Sequence, residues 1–445
     1  MHRIYLFATI MFLAFGCKPE PKASEQTQDS PPLSDEQLLD LVQENTFQYF
    51  WDGAEPNSGL AAERIHLDGV YPSNDQHIVT SGGTGFGLMA ILVGIERGFV
   101  TRAEAVIRLR KMVDFLAASD RFHGAWPHWI DGRTGKVKAF SPKDDGGDIV
   151  ETSFLAQGLL CVRQYFREGD DTEKKLAADI DALWRGIEWD WYQNGQEVMY
   201  WHWSPNFGWE MNFALTGYNE CLITYVLAAS SPAHAIDSTA YHKGWAQSGA
   251  IKVDGEKYGI PLRLKHNYSE EYGGPLFWSH YSYLGLDPRE LKDRYADYWQ
   301  HNVNHVLIDR QYCLENPKGY PHYGENCWGL TASYSPKGYN AHQPSNDLGV
   351  ISPTAALASF PYTPEYSMQA LRFFHDSLDG MAWAKYGPID AFSVTENWFP
   401  NHYLAIDQGP IPVMIENHRT GLIWELFMSC PEVQSGLQEL GFFGY

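Results

Sequence analysis

Basic residues are scarce in this sequence. Thirty-three Lys and Arg stand against 55 Asp and Glu over 445 residues, a formal net charge of −22 at pH 7. Such a surface repels phosphate, so nucleic acid, an anionic membrane surface and polyanionic substrates are poor partners, and a neutral one fits better. Cysteine is scarce as well: there are six, and no Cys/His spacing resembles a metal-ligand motif. Cys161 and Cys221 fall inside apolar helical patterns and read as buried thiols, whereas Cys313 and Cys327 are the pair placed for a disulfide. A hydrophobic run long enough to span a bilayer is also missing, because the stretch 4–15 is too short. Preceded by Arg3 and closed by Leu-Ala-Phe-Gly-Cys at 13–17, it reads as a bacterial lipoprotein signal peptide. The expected organisation is a signal peptide over 1–17 with lipidation at Cys17, a flexible tether over 18–33 and a single domain over 34–445, lipid-anchored in the periplasm or at the outer membrane.

Aromatic residues are abundant. Sixteen Trp, 26 Tyr and 23 Phe make 15% of the chain, more than a core usually requires. Trp and Tyr offer flat apolar faces with a polar edge, the surface on which sugar rings stack.

The apolar periodicity is helical throughout. A first helix is expected over 35–51, with Ser34 and Gln37 set as a capping box. Thereafter an apolar helix alternates with a more polar one: 84–97 with 102–118, 148–166 with 172–192, 216–229 with 233–247, 275–284 with 290–312, and 353–360 with 364–378. The last apolar helix, 410–427, pairs with the first helix or with 433–440. Buried and half-buried helices in alternation pack as two concentric rings, which predicts an all-α (α/α)6 barrel of six inner and six outer helices. Its inner helices run parallel, so their N-termini meet at one mouth, where the long aromatic-rich loops also open.

Acids gather at that mouth. Asp144, Asp148 and Glu151 are spaced i, i+4, i+7, and Glu220, Glu271, Asp347 and Asp407 lie at the starts of other inner helices. Clustered carboxylates repel, and two with separated pKa values suit acid/base chemistry on a glycosidic bond. The competing reading of Asp148 and Glu151 is a helix cap. Thr80-Ser-Gly-Gly-Thr-Gly-Phe-Gly hints at a phosphate loop, but no strand and ribose partner frame it, so close helix packing explains its glycines better. His202, His322, His342 and His402 lack metal spacing and read as sugar hydrogen-bonders or structural groups, and Glu416 with Arg419 reads as a buried ion pair.

Five runs carry a family resemblance: Gly-Gly-Asp-Ile-Val-Glu-Thr-Ser-Phe-Leu (146–155), Thr-Gly-Tyr-Asn-Glu (216–220), Tyr-Gly-Glu-Asn-Cys-Trp-Gly-Leu-Thr-Ala-Ser (323–333), Glu-Asn-Trp-Phe-Pro-Asn (396–401) and Ile-Asp-Gln-Gly-Pro-Ile (406–411). Together they resemble the bacterial glucoamylase-like proteins and, within these, glycoside hydrolase family 144, the β-1,2-glucanases. The resemblance covers about 36–441, with Cys327 standing where an apolar residue is expected. It implies the same barrel, an inverting mechanism and linear β-1,2-glucan or its oligosaccharides as substrate, cut by endo action or by exo release of sophorose. No metal or organic cofactor is implied, and a monomer is expected. The acidic set falls on Asp144, Asp148, Glu151, Glu220 and Asp407. Glu220 is the candidate general acid. The base is expected in the 144/148/151 cluster, with Asp148 or Asp144 preferred because Glu151 is better placed to cap. Trp126, Trp203, Tyr323, Glu325, Asn326, Trp328, Asn397 and Trp398 are the substrate-binding candidates. Two other readings remain: a polysaccharide lyase on the same fold, which the acidic mouth disfavours, and a non-catalytic glycan-binding lipoprotein.

Overall fold

Ser34 opens the first helix, α1 (Asp35–Trp51), and the expected capping box with Gln37 is formed. The computed structural model describes residues 32–445 apart from 268 and 270, so the expected signal peptide, Cys17 and nearly all of the tether lie outside the described residues. Two long inner helices follow the expected apolar runs: α2 (Ser81–Glu96), buried almost end to end, and α4 (Ile149–Phe166). Their outer partners are the amphipathic α3 (Arg102–Ala118) and α5 (Asp171–Arg185). The glycines of the 80–87 stretch serve packing: a Cβ on Gly85 would lie 2.1 Å from the Phe154 carbonyl oxygen, and one on Gly158 would lie 2.1 Å from the Gly85 carbonyl oxygen. Only glycine lets α2 and α4 cross this closely.

The remaining inner elements are shorter than their apolar runs suggest. Helix α6 starts only at Leu222 (Leu222–Ser230), because Gly217 takes a φ of 75° and the Asn219 side chain accepts from the Cys221 N–H, an Asx turn that competes with the helix. The segment expected as a helix over 275–284 is two 3-10 turns, Leu276–Ser279 and Tyr281–Tyr283. Its serines bond outward: Ser279 meets His305, and the Ser282 hydroxyl donates to the Glu220 carbonyl. The long α7 (Tyr298–Glu315) packs outside it, followed by α8 (Pro353–Leu357) and its amphipathic partner α9 (Pro364–Asp376). The last inner run is broken into α10 (Ala405–Gln408), α11 (Pro410–Arg419) and α12 (Leu422–Met428), the final break falling at Gly421 with φ 79°. Glu416 of α11 pairs with Arg97 at 2.7 Å rather than with Arg419, which reaches Asp40 and Glu36.

The ring closes where α1 packs against both α2 and α11, the first and last inner helices. The outer helix expected over 233–247 is only a π-turn, Ala240–Trp245, and the C-terminal α13 (Pro431–Leu440) packs against α6 in its stead. The architecture is an all-α (α/α)6 barrel with short strand pairs in its loops. Among the described residues no helix is long and apolar enough to cross a membrane. The five described cysteines are all buried free thiols, so the expected Cys313–Cys327 bridge is absent; both sit in an apolar setting where burial raises the thiol pKa.

Candidate active site

The N-terminus of α4 organises one wall of a cavity of about 530 Å³ at the barrel mouth. Asp148 is the N-cap. Its Oδ1 accepts from the Val150 and Glu151 N–H groups at 3.0 and 2.9 Å, while its Oδ2 accepts from the Trp201 indole at 3.0 Å and from His128 Nδ1 at 2.9 Å. The strand pair Gly147–Asp148 with His202–Trp203 brings His202 Nε2 to 3.2 Å from Asp144 Oδ2 and 3.7 Å from Asp148. Burial alone would raise the Asp148 pKa, yet the His128 hydrogen bond and the charges of His202 and His128 bring it below the ordinary carboxylate range. Burial likewise opposes charge on His128, but Glu151, Asp148 and Asp144 together lift it to about 9. At neutral pH this wall is an imidazolium held between carboxylates.

Glu151 projects past the cap into the cavity. Its Oε2 accepts from the Gly82 N–H at 2.8 Å and the Thr80 hydroxyl at 3.3 Å, and Oε1 faces His128 Nε2 at 3.9 Å. Burial and the Asp148 charge raise its pKa, while His128 and the Gly82 N–H pull the other way. Glu220 comes from the irregular turn ahead of α6. Burial, with the charges of Glu151 and Asp148, pushes it up to about 7. Two carboxyls of one cavity thus share a field in which Glu220 keeps its proton more readily. The rest of the wall is aromatic, with Trp129, Phe140, Trp201, Tyr281, Tyr334 and Tyr339 prominent, and Arg64 lies over the Tyr334 ring while bound to Glu63 at 2.6 Å.

Of the acidic set, Glu151 and Glu220 line this cavity, and Asp148 and Asp144 stand immediately behind it. The cap reading holds for Asp148, while Glu151, expected to be the better placed to cap, instead turns toward Gly82 and reaches the cavity. Asp407 lies beneath the opposite wall beside Asp390; burial raises the pKa of both, and the Asp390 charge and hydrogen bond raise that of Asp407 further. Glu271 is an exposed partner of Lys257, and Asp347 is held by the Tyr312 and Tyr323 hydroxyls.

The eight substrate-binding candidates stand outside the lining. Trp126 and Trp328 are fully buried core residues, the former with its indole N–H on the Leu116 carbonyl. The Tyr323 hydroxyl is committed to Asp347 at 2.9 Å. Glu325 and Asn326 form the exposed tip of the turn closed by Gly324 and Cys327, Asn397 occupies a left-handed turn position beside the half-buried Trp398, and Trp203 packs against His123 and Trp191. Sequence reasoning missed His128, Phe140, Glu63, Arg64 and Tyr339. His128, Asp144 and Asp148 bring possible metal-ligand atoms within 4.8 Å of one another, but the Asp148 oxygens already accept four hydrogen bonds, one of them from His128. A cation there would have to displace hydrogen bonds that Asp148 already accepts.

A family model described as "Putative glucoamylase" matches residues 212–431. The structure of an endo-β-1,2-glucanase from Chitinophaga pinensis, in complex with sophorotriose and glucose, is 64% identical and superposes with a TM-score of 0.92, covering 93% of this chain and 99% of that one. This chain belongs to glycoside hydrolase family 144. An exo-β-1,2-glucooligosaccharide sophorohydrolase from Parabacteroides distasonis is 48% identical over 430 residues, covering 92% of this chain; the chain spans 58% of that relative's length. A Talaromyces funiculosus endo-β-1,2-glucanase, 12% identical with a TM-score of 0.64 and covering 91% of this chain and 92% of that one, shares the fold of this family 144 chain.

Proposed function

We propose that this chain is a glycoside hydrolase that cleaves β-1,2-glucan or its oligosaccharides with inversion of configuration. The observation that carries the reading is the pair Glu220 and Glu151 in one aromatic-lined cavity, with Glu220 raised to about 7 and Glu151 facing a His128 imidazolium. A carboxyl protonated near neutrality can donate to the departing glycosidic oxygen as the bond breaks. Glu151, held by the Gly82 N–H and the Thr80 hydroxyl, is the carboxylate that takes a proton from the attacking water; its burial strengthens it as a base. Asp148 and Asp144 act through the two histidines as positioning residues, since their oxygens face hydrogen bonds and ring nitrogens rather than the cavity. Trp129, Trp201 and the tyrosines supply faces for uncharged sugar rings.

A glycan-capture protein needs no carboxyl raised to neutrality, and a cluster of buried acids is costly to keep without use. The test is incubation of the purified protein with linear β-1,2-glucan beside β-1,3-glucan, β-1,4-glucan and starch, following product length and anomeric configuration by proton NMR. Inverted products from β-1,2-glucan alone support the reading; mixed lengths mark endo action and sophorose alone exo action. Retained configuration overturns the inverting pair. The same reading includes a monomeric protein carrying a lipid on Cys17 that holds it to the periplasmic or outer-membrane surface, supported by the 1–17 sequence. Cys17→Ala should release the protein from the membrane fraction and abolish labelling by a palmitate analogue.

A further inference from the structure

A second carbohydrate-shaped surface lies outside the cavity. A pocket of about 440 Å³ is lined by Glu188, Asp190, Trp191, Asn194, Trp209 and His234. Trp191 is 39% exposed, which is unusual for the largest apolar side chain, and its neighbours build a rigid mount for it. The His123 ring lies flat against it at 3.6 Å and 10°, and His123 Nδ1 is held in turn by Glu188 at 2.9 Å. The Trp203 ring meets it edge-on at 5.9 Å. Trp209 sits beside it at 6.4 Å with the rings inclined by 33°. Around these rings stand acceptors: the Asp190 carboxylate, which takes the Trp191 N–H and His234 Nδ1, both at 3.1 Å, and the exposed Asn194.

The chemistry selects one kind of ligand. Two carboxylates at the rim repel phosphate, sulfate and acidic peptides, and a purely apolar partner would strip water from the acceptor sites that His123 and His234 leave open. A polyhydroxylated neutral ring satisfies both features, stacking its C–H face on indole while its hydroxyls donate to carboxylate oxygens. The patch is linked to the active cavity through one chain segment: Trp209 contacts the Tyr200 ring at 5.9 Å, and the next residue, Trp201, bonds Asp148 and lines the cavity.

We propose that the Trp191/Trp209 pocket is a second glucan-binding site, which holds a stretch of a long neutral glucan while another part of the polymer occupies the cavity. The inference rests on the neutral-glucan reading of the cavity and adds to it a site that only polymers use. Two weak sites on one chain raise the effective concentration of substrate at the cavity.

Trp191→Ala should raise KM for long linear β-1,2-glucan about fivefold and leave kcat/KM on a β-1,2-linked trisaccharide unchanged. Asp190→Ala, an exposed change that keeps both indoles, should give a smaller shift in the same direction, and so tests the site should Trp191→Ala misfold. Calorimetric titration of the Glu220→Gln protein with long glucan should resolve two classes of site, reduced to one by adding Trp191→Ala. A wild-type enzyme that cleaves the glucan while folded variants keep its polymer KM overturns this inference alone. A wild type that cleaves no β-1,2-glucan overturns the functional reading, and the titration then still decides whether Trp191 binds glucan.

Discussion

Two clusters of buried ionisable side chains sit in this barrel, and their charges go opposite ways. At the mouth, carboxylates surround His128 and lift it to about 9. In the wall behind the 3-10 turns, His266, His301 and His305 crowd together: His266 Nε2 meets His301 Nε2 at 2.8 Å, and His305 bonds Ser279 and the Gly274 carbonyl, each at 2.8 Å. His280 bonds Ser359 nearby at 3.0 Å. Burial, with repulsion from His305, pushes His301 and His280 down to about 3, and burial takes His305 to about 4. Both clusters are desolvated, so desolvation does not make a site. The mouth differs in pairing opposite charges beside a cavity, and that arrangement keeps protons mobile where substrate can reach them.

The sharpest way to break the comparison is Glu220→Gln, which keeps shape and removes the transferable proton. It should lower kcat on β-1,2-glucan by roughly a thousandfold or more while the melting temperature holds. Residual activity within tenfold of wild type would remove Glu220 from the acid role. Next comes Gly82→Ala. A Cβ there would lie 2.4 Å from Glu151 Oε2 and 3.0 Å from Phe154, and it would force Glu151 off the Gly82 N–H. Misplacing the base by about an ångström should reduce kcat on the order of a hundredfold. An unchanged kcat would show that Glu151 tolerates another position and is not the base.

Helices of both rings were legible in the sequence wherever the chain keeps a regular period: the outer α3 falls on its expected ends, and the inner α4 begins at Ile149, right after its Asp148 cap. They were illegible where side chains outbid the helix for backbone groups, as Asn219 does for the Cys221 N–H and Ser282 for the Glu220 carbonyl, both ahead of α6. Of the acids read at helix starts, Glu151 and Glu220 line the cavity, whereas Glu271, Asp347 and Asp407 do not. Aromatic type was a poor guide, since a Trp in a loop serves a core as readily as a cleft; Trp126 and Trp328 fill the core. His128 gave no signal. It reaches Asp148 through the strand pairing of Ile78–Thr80 with Trp129–Asp131, a contact across 20 residues that no periodicity marks.

His128 sharpens the comparison through pH. Its folded pKa, about 9, stands above the ordinary 6.5, so its stabilising charge is complete below 6.5 and is lost as pH climbs toward 9. Wild type should lose about 3 kcal/mol of stability across that window, read as a fall in melting temperature. His128→Asn should flatten the curve. An equal slope in both proteins would mean that His128 is neutral in the fold.

The other cluster should act on stability alone and leave activity untouched. A histidine held near pKa 3 stays neutral in the folded chain while its unfolded counterpart takes a proton below about 6.5, so acid favours unfolding by roughly 1.4 kcal/mol per pH unit for each such group. Stability should therefore be flat above 6.5 on account of these residues and fall between pH 6 and 4, the reverse of the His128 window. His280→Asn keeps a polar group for Ser359 and removes one titration. It should leave kcat at pH 7 unchanged and reduce the acid slope by one proton's worth, measured as denaturant midpoints at pH 6, 5 and 4. If His280→Asn instead lowered kcat with the slope intact, the histidine wall would be coupled to the cavity, and the division between a closed cluster and an open one would fail.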